Sequence, residues 1–389
     1  MSQALLHPGA PAMPGLIEWL VGDECRALDD GEMIEGLGAR LRATGLSLNR
    51  LTLHLRTLHP QMIGRTLAWA PGEPVQILDR EYGVETLAQF AESPLRQVME
   101  TRRPMVARLD PGGTDENLLD VFRGRGLTEL VILPLCTGDG PASAAVFATA
   151  RRSGFTPEER AAVERIAPAL STVCELRGLR RVERILLDTY VGPASGERVL
   201  AGHIRRGDCE MIEAALMFCD LHDFTALSNR LPAEHVLPLL NLFFDQVVPA
   251  VETEGGQILK FLGDGVLASF ALGCGPATDC AAAFAASRSV LSRLDALPGP
   301  DPRPRAGIAV HHGEASYGNI GSGRRLDFTV IGPAVNLTSR LQGLCAPLSS
   351  QILMSQHFAG LLGRPDVRPL GAHRVKGFTE PIEIFGWDG

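Results

Sequence analysis

The most constraining feature of this chain is a Gly-Asp-Gly triplet between two apolar runs, in ILKFLGDGVLASF (258–270). Two apolar runs joined by so short a polar segment are typical of a β-hairpin, because glycine adopts the backbone angles that a tight turn requires. The triplet therefore predicts a sheet in this half of the chain. It also places Asp264 at the tip of the hairpin.

A second aspartate ends another apolar run, since MIEAALMFC (211–219) is followed directly by Asp220. A carboxylate at the end of a buried strand is costly unless a partner or a metal ion compensates its charge. Asp220 and Asp264, at the ends of neighbouring strands, would bind hard cations through oxygen. Taken alone, each aspartate is more simply explained as a turn former or a helix cap.

A predicted strand, LDFTVI (326–331), leads into a predicted helix through Gly332 and Pro333. Proline is favoured at the first helical position. Asn336 and Arg340 would then lie four residues apart on one helix face. An amide and a guanidinium side by side suit a sugar and a phosphate. Taken alone, Asn336 and Arg340 are more simply explained as residues of a solvent-exposed helix face.

Lysine is almost absent from the chain: of 37 basic residues, 35 are Arg and only Lys260 and Lys376 are Lys. Lys376 lies in HRVKGFTEPIEIF (373–385), which predicts a strand, a glycine turn and an extended end. Positions that keep lysine are candidates for a compact ammonium on a flexible stem. Chance remains an alternative for two residues.

A length of 389 residues favours two domains. The first half reads as a small α/β domain, with a helix at 32–44, a half-buried strand at 50–57 and further strands at 130–136 and 143–150. Thr156 and Glu159 form a capping box that begins a helix running to about residue 187. We divide the chain into a tail, a first domain, a helical and Gly-rich linker and a second domain, at 1–15, 16–181, 182–210 and 211–389.

Composition excludes several classes of protein. The net charge of −8 disfavours nucleic-acid binding. No apolar run is long enough to span a membrane, and the N-terminus lacks a secretory signal. Eight scattered cysteines without a Cys-x-x-Cys pair indicate reduced thiols and a cytoplasmic protein, and they make a structural zinc site improbable.

The first domain resembles a GAF domain over residues 16–181, on the strand that ends in VFATA and the helix start SGFTPEERAAVERIAPALS. Such domains bind small ligands or mediate dimer contacts. No set of residues identifies a ligand here, and the signal it would read is unknown. Cys25 and Cys136 are candidates for redox or chromophore attachment, although buried structural thiols are the simpler explanation.

The second domain resembles the catalytic domain of the class III adenylate and guanylate cyclases. The resemblance rests on five motifs in the family's order: FCDLHDFT, LKFLGDGVLA, HHGEASYGNIGS, RLDFTVIGPAVNLTSRL and RVKGFTEPIEIF. They cover about residues 211–386. The resemblance implies a ferredoxin-like α/β sandwich with an antiparallel sheet.

The resemblance also implies a role for each matching residue. Two Mg²⁺ or Mn²⁺ ions would be held by Asp220, Asp264 and the carbonyl of Leu221. Lys260 and Thr329 would read the base, and a lysine donor with a threonine acceptor suits adenine. Asn336 would orient the ribose, Arg340 would stabilise charge on the α-phosphate, and Lys376 would contact the triphosphate.

In this family one subunit supplies the metal ligands and its partner supplies the other groups, so the resemblance implies a homodimer with two composite sites. The expected function is conversion of ATP to 3′,5′-cyclic AMP and pyrophosphate, regulated by the first domain. Two alternatives are a guanylate cyclase and a ligand-binding sensor with a degenerate cyclase domain. A diguanylate cyclase is disfavoured because no GGDEF-like segment occurs.

Overall fold

The structure is a computed structural model that describes residues 13–83, 90, 93–109, 119–135, 142–298, 304–323 and 325–388. It divides into two compact units, Met1–Leu186 and Leu187–Gly389. Each unit is built around its own sheet with helices packed on it, so the α/β class predicted for both halves is confirmed.

The first unit has a six-stranded antiparallel sheet in the order β3-β2-β1-β6-β5-β4. Its strands are β1 (Arg50–Arg56), β2 (Met62–Trp69), β3 (Gln76–Glu81), β4 (Met105–Arg108), β5 (Glu129–Leu135) and β6 (Ser143–Thr149). Its helices are α1 (Met13–Val21), α2 (Asp23–Ala27), α3 (Asp30–Ala43), α4 (Pro94–Thr101), α5 (Leu119–Arg123) and the long α6 (Pro157–Val191), which continues into the second unit's residues.

Both faces of this sheet are covered. Leu51 and Leu53 pack with α1, α3 and α6 in one core, while Val146 and Ala148 of β6 pack with α4 and α5 in another. The alternation of 50–57 predicts a half-buried strand, and this is only partly right, because Arg50 and Thr52 on the opposite face are also buried. A second layer of helices, far away in sequence, covers the face that the pattern assigns to solvent.

The start of α6 follows the predicted capping box. The Thr156 hydroxyl accepts from the Glu159 amide at 3.2 Å, and the Glu159 carboxylate accepts from the Thr156 amide at 2.7 Å. Pro168 lies inside α6 without ending it. The segment predicted as a linker, 182–210, contains the end of α6 and a further helix, α7 (Pro193–Leu200).

The second unit has an eight-stranded sheet in the order β13-β14-β12-β10-β7-β9-β8, with β11 paired to β10. Its strands are β7 (Cys209–Leu221), β8 (Gln257–Leu262), β9 (Gly265–Phe270), β10 (Ala306–Gly321), β11 (Leu326–Ile331), β12 (Ile352–Ser355), β13 (Arg368–His373) and β14 (Ile382–Trp387). The described helices after α7 are α8 (Phe224–Arg230), α9 (Ala233–Thr253), α10 (Pro276–Asp295), α11 (Pro333–Gln342) and α12 (Gln356–Leu362).

Alternating residues of the central strands face two separate cores. Ile308 and Val310 of β10 pack with α9, α10 and α12, whereas Ala309 packs with Leu337 and Leu341 of α11 on the other face. This period of two is what places helices on both faces of the sheet. Within the part of the chain described here, no helix is long and apolar enough to cross a membrane.

Candidate functional site

Asp220 lies one residue from the end of β7, and its neighbours on both adjacent strands are glycines. In the sheet register it is opposite Gly265 of β9 and Gly307 of β10. Asp264 lies in the predicted turn, where Gly263 has a φ of 69° that a residue with a side chain rarely adopts. The hairpin thus brings Asp264 beside Asp220, as the sequence predicts.

Gly265, the residue after Asp264, leaves space beside the Asp220 carboxylate. A Cβ atom added to Gly265 would lie 3.0 Å from the Asp220 Oδ1 atom and 3.0 Å from the ring of Phe218. Any larger residue would therefore press on the carboxylate. We attribute the second glycine of the Gly-Asp-Gly triplet to this close approach as well as to the turn.

The two carboxylates repel one another. Burial raises the pKa of Asp220 to about 7, and the neighbouring charge and hydrogen bond of Asp264 add to the rise. Both causes disfavour the charged form of Asp220. A divalent cation bound by oxygen ligands would relieve exactly this kind of repulsion, so the donor set of two carboxylates and the Leu221 carbonyl fits Mg²⁺ or Mn²⁺. 

Lys260 is directed by an irregularity in β8. The register of β8 against β9 shifts between Ile258 and Lys260, so Leu259 is an extra residue of a β-bulge. Leu259 is buried, whereas the Lys260 side chain is 33% exposed and its ammonium contacts the carboxylate of Asp327 on β11. This contact joins two strands that are far apart in the sequence.

Thr329, the predicted partner of Lys260 in base reading, lies two residues after Asp327 and therefore on the same face of β11. It is half-buried. A pocket of about 550 Å³ adjoins this face, and its lining includes Lys260, Asp327, Phe261, Phe328 and Tyr317. Asp327 thus lines a pocket large enough for part of a nucleotide, whereas Thr329 is not among the described residues that line it.

The helix that carries Asn336 and Arg340 begins as predicted. Gly332 has a φ of 150° and lies so close to β10 that an added Cβ atom would be 3.3 Å from the Ala315 backbone. Pro333 is the first helical residue of α11. Asn336 and Arg340 are both exposed on this helix, while Leu337 and Leu341 anchor its other face in the core.

Lys376 does not lie in a strand as predicted. It is exposed in the turn that follows β13, between buried Val375 and Gly377, whose φ is 92°. β13 ends at His373, three residues before Lys376, and the turn at Lys376 and Gly377 follows. Lys376 is therefore presented to solvent on a turn.

The adjacent histidines lie in the interior of the sheet. His312 is 1% exposed, and burial lowers its pKa. Burial also lowers the pKa of His311 to about 4, and its Nδ1 atom is 2.7 Å from the Ser355 hydroxyl. No group of three or more His, Cys, Asp or Glu side chains within the described ranges is arranged to hold a metal ion. The burial of His312, the half-buried position of His311 and the contact of His311 with Ser355 favour a structural role for both histidines.

Large apolar side chains are exposed around the polar residues. Phe261 and Leu262, which follow Lys260, are 50% and 42% exposed, and Ile331, two residues after Thr329, is 52% exposed. Exposed apolar clusters rimmed by polar residues mark interaction surfaces.

Residues 209–385 match the family model described as the adenylate and guanylate cyclase catalytic domain. The match covers the strands, turns and helix that carry every predicted site residue. This region is a cyclase catalytic domain. The resemblance drawn from the five motifs is thereby confirmed, whereas the GAF-like character of the first unit stays a prediction.

Curated adenylate cyclases are similar to less than half of this chain. An adenylate cyclase of Rhizobium meliloti is 32% identical over 182 residues, which are 44% of this chain and 27% of the relative. The adenylate cyclase of Anabaena cylindrica is 30% identical over 198 residues, 47% of this chain and 38% of the relative. The chain thus spans well under half the length of these relatives.

Solved structures of similar proteins include the adenylyl cyclase CyaB of P. aeruginosa, which is 28% identical with a TM-score of 0.41. The match covers 47% of this chain and 96% of that one. The guanylyl cyclase Cya2 is 27% identical with a TM-score of 0.37, and its match covers 46% of this chain and 92% of that one.

The motifs of the sequence do not predict two features of the cyclase domain, the contact made by Asp327 and the β-bulge at Leu259. Asp327 had a detectable signal, because it shares a face of β11 with Thr329. The bulge at Leu259 had none, since a single extra residue in an apolar run leaves the pattern of hydrophobic residues unchanged.

Proposed function

We propose that this protein is an adenylate cyclase that converts ATP to 3′,5′-cyclic AMP and pyrophosphate. The observation that supports this most is the Asp220–Asp264 pair, two mutually repelling carboxylates beside a glycine cradle in a domain of the cyclase family. In the reaction the ribose 3′-oxygen loses its proton and attacks the α-phosphorus. The bond from the α-phosphorus to the bridging oxygen breaks, and pyrophosphate leaves.

Asp220, Asp264 and the carbonyl of Leu221 would hold two Mg²⁺ or Mn²⁺ ions. When bound, such ions lower the pKa of the ribose hydroxyl and neutralise the negative charge of the triphosphate. The residues of the chain fit this role because they offer only oxygen donors at a turn that excludes larger side chains.

The remaining groups would position the nucleotide. Lys260 donates to a ring nitrogen of adenine, and the Thr329 hydroxyl accepts from the amino group. Asn336 orients the ribose and Arg340 stabilises the charge that grows on the α-phosphate, a contribution of about 3 kcal/mol for a well-placed donor. Lys376 binds the triphosphate from its exposed turn.

We propose further that the active form is a homodimer with two composite sites, in which the aspartates of one subunit face Lys260, Thr329, Asn336 and Arg340 of the other. The exposed Phe261, Leu262 and Ile331 support this, because they surround the polar residues with apolar surface that a second copy would bury.

The first unit is proposed to be a GAF-like regulatory domain. Its support is the two-faced antiparallel sheet and the 35-residue helix α6 that leads from it towards the cyclase domain. Activity of residues 200–389 that equals the activity of the full chain under all conditions tried would contradict a regulatory role.

The test is an assay of the purified chain with ATP or GTP and with Mg²⁺ or Mn²⁺, reading cyclic nucleotides by mass. Cyclic AMP from ATP, at a rate well above that of cyclic GMP from GTP, is the expected result. Preferential cyclic GMP formation would favour the guanylate cyclase alternative, which Lys260 disfavours. Absence of both products would indicate a degenerate domain.

A further inference from the structure

The strongest unassigned feature near the proposed base site is the ion pair of Lys260 with Asp327. The two residues are 67 positions apart and lie on β8 and β11, which are not paired with each other in the sheet. The pair therefore depends on side chains alone. The bulge at Leu259 directs the lysine towards β11, so the backbone of β8 is arranged for this contact.

The pair lies at the edge of a pocket rather than in open solvent. Lys260 is 33% and Asp327 56% exposed, and the pocket lining around them contains the aromatic rings of Phe261, Phe328 and Tyr317. Phe328, which lies between Asp327 and Thr329 in the sequence, is buried. Its ring packs edge-on against the ring of Tyr317, with 4.8 Å between the ring centroids. The strand segment that carries Asp327 is thus held firmly.

The Lys260 ammonium can bind a nucleotide while it is paired with the Asp327 carboxylate. An ammonium has three donors, and the carboxylate of Asp327 occupies one direction. A four-carbon stem without such an anchor loses rotamer freedom when it binds a base, and that loss weakens binding. An anchored lysine has lost this freedom before the nucleotide arrives.

We propose that Asp327 is a positioning residue that holds the Lys260 ammonium ready to read the base. This inference rests on the proposed function, because it takes Lys260 as the group that contacts the nucleotide. Asp327 acts through Lys260 and is not itself a catalytic group. Its effect falls on nucleotide binding and leaves the chemical step unchanged.

Asp327→Asn tests this, with both the KM for ATP and the dissociation constant of ATP measured by calorimetry. We expect both constants to rise about fivefold, as for a partly exposed ion pair, with kcat within about twofold of the wild type. Asp327→Glu restores a carboxylate and is expected to recover most of the loss. Asp366→Asn, which breaks the exposed Arg364–Asp366 pair, is the matched control and leaves both constants unchanged.

A double-mutant cycle separates positioning from a general structural effect. If Asp327 acts through Lys260, then Asp327→Asn has no further effect on ATP binding in a Lys260→Met background. An equal effect in both backgrounds would overturn the proposal. Unchanged ATP binding by Asp327→Asn alone would also overturn the proposal. Tighter binding would overturn it as well, because it would show that Asp327 holds Lys260 away from the nucleotide.

The failure of this inference and of the proposed function are distinguishable. A wild-type chain that binds ATP but forms no cyclic nucleotide would refute the proposed function. The role of Asp327 would still be tested in that case, by comparing the dissociation constants of ATP for the wild type and Asp327→Asn. A wild-type chain that does not bind ATP at all would overturn both. Normal cyclase activity with an unchanged Asp327→Asn variant would overturn the inference alone.

Discussion

Two carboxylates that are sheltered from solvent, Glu129 of the first unit and Asp220 of the second, have opposite surroundings. In the first unit Glu129 is fully buried, and it is paired with Arg160 at 2.9 Å and Arg108 at 3.1 Å and accepts from the Phe155 amide. Asp30 contacts Arg177, Arg181 and Arg65 in the same way. In the second unit the half-buried Asp220 faces another carboxylate, Asp264.

The difference separates structural charge from functional charge. The carboxylates of the first unit are compensated within the chain by arginine, whose planar fork suits a fixed carboxylate. Asp220 and Asp264 of the second unit carry a repulsion that a bound cation would compensate. Variants of the two kinds of carboxylate should therefore differ in what they change, activity or stability.

Asp264→Asn should reduce cyclic AMP formation by about 1,000-fold or more, because it removes a ligand from the proposed metal site and with it the stabilisation of developing charge. The cyclase assay with ATP and Mn²⁺ measures this. The far-UV circular dichroism and unfolding midpoint should stay at wild-type values or better. Retained activity in a folded variant would show that the metal assignment is wrong.

Glu129→Ala should have the opposite profile and lower the free energy of unfolding of the first unit by about 3 kcal/mol. The change leaves the Phe155 amide without its acceptor and two arginines without their carboxylate. Urea unfolding of the full chain measures it. Glu100→Gln, which breaks the exposed Arg96–Glu100 pair, is the control and should cost under about 0.5 kcal/mol.

Lys260→Arg tests the lysine that is paired with Asp327, in a chain whose basic residues are nearly all arginine. A guanidinium is bulkier and cannot direct a single donor into a base pocket as an ammonium can, so the KM for ATP should rise about tenfold. Arg26→Lys, at an exposed pair with Asp23, is the reverse swap and should leave the KM unchanged. If the two substitutions change the KM for ATP equally, the retention of lysine at position 260 has no functional meaning and is a coincidence.

Asp220→Asn should stabilise the metal-free protein at pH 8, on the order of 1 kcal/mol. The folded-state pKa of Asp220 is raised from 3.8 to about 7, so the folded state binds more protons than the unfolded state between these values. Wild-type stability should therefore fall as pH rises from about 4 to 7, and the variant should lack this component of the decrease. Unfolding in EDTA across this pH range measures it.

Addition of Mn²⁺ at pH 8 extends the same test. It should raise the unfolding midpoint of the wild type but have a much smaller effect on Asp220→Asn, since in the proposed site the metal would bind the folded state through this carboxylate. An equal shift in both proteins would indicate that the ion binds elsewhere.

The sequence predicts the local parts of the site well. The β8–β9 turn follows from Gly263 and its neighbours, and the start of α11 follows from Gly332 and Pro333, because these signals depend on backbone angles of single residues. The capping box at Thr156, in the first unit, is local as well, because it depends on hydrogen bonds between residues three positions apart.

The parts that depend on distant packing could not be read in this way. The burial of Thr52 depends on helices elsewhere in the first unit, and the Lys260–Asp327 pair depends on a bulge and on two strands meeting in space. Ser195 is a further case, since its hydroxyl is 2.6 Å from that of Tyr317 although the composition of its segment is typical of a linker.

The central claim, that each active site takes its aspartates from one subunit and its nucleotide-binding groups from the other, is tested most directly by mixing two inactive variants. Asp220→Ala and Arg340→Ala chains should each be inactive as homodimers. Random reassociation should restore cyclic AMP formation to about a quarter of the wild-type rate, because half of the dimers then contain one intact site of two. No recovery, in a mixture shown to exchange subunits, would contradict the account.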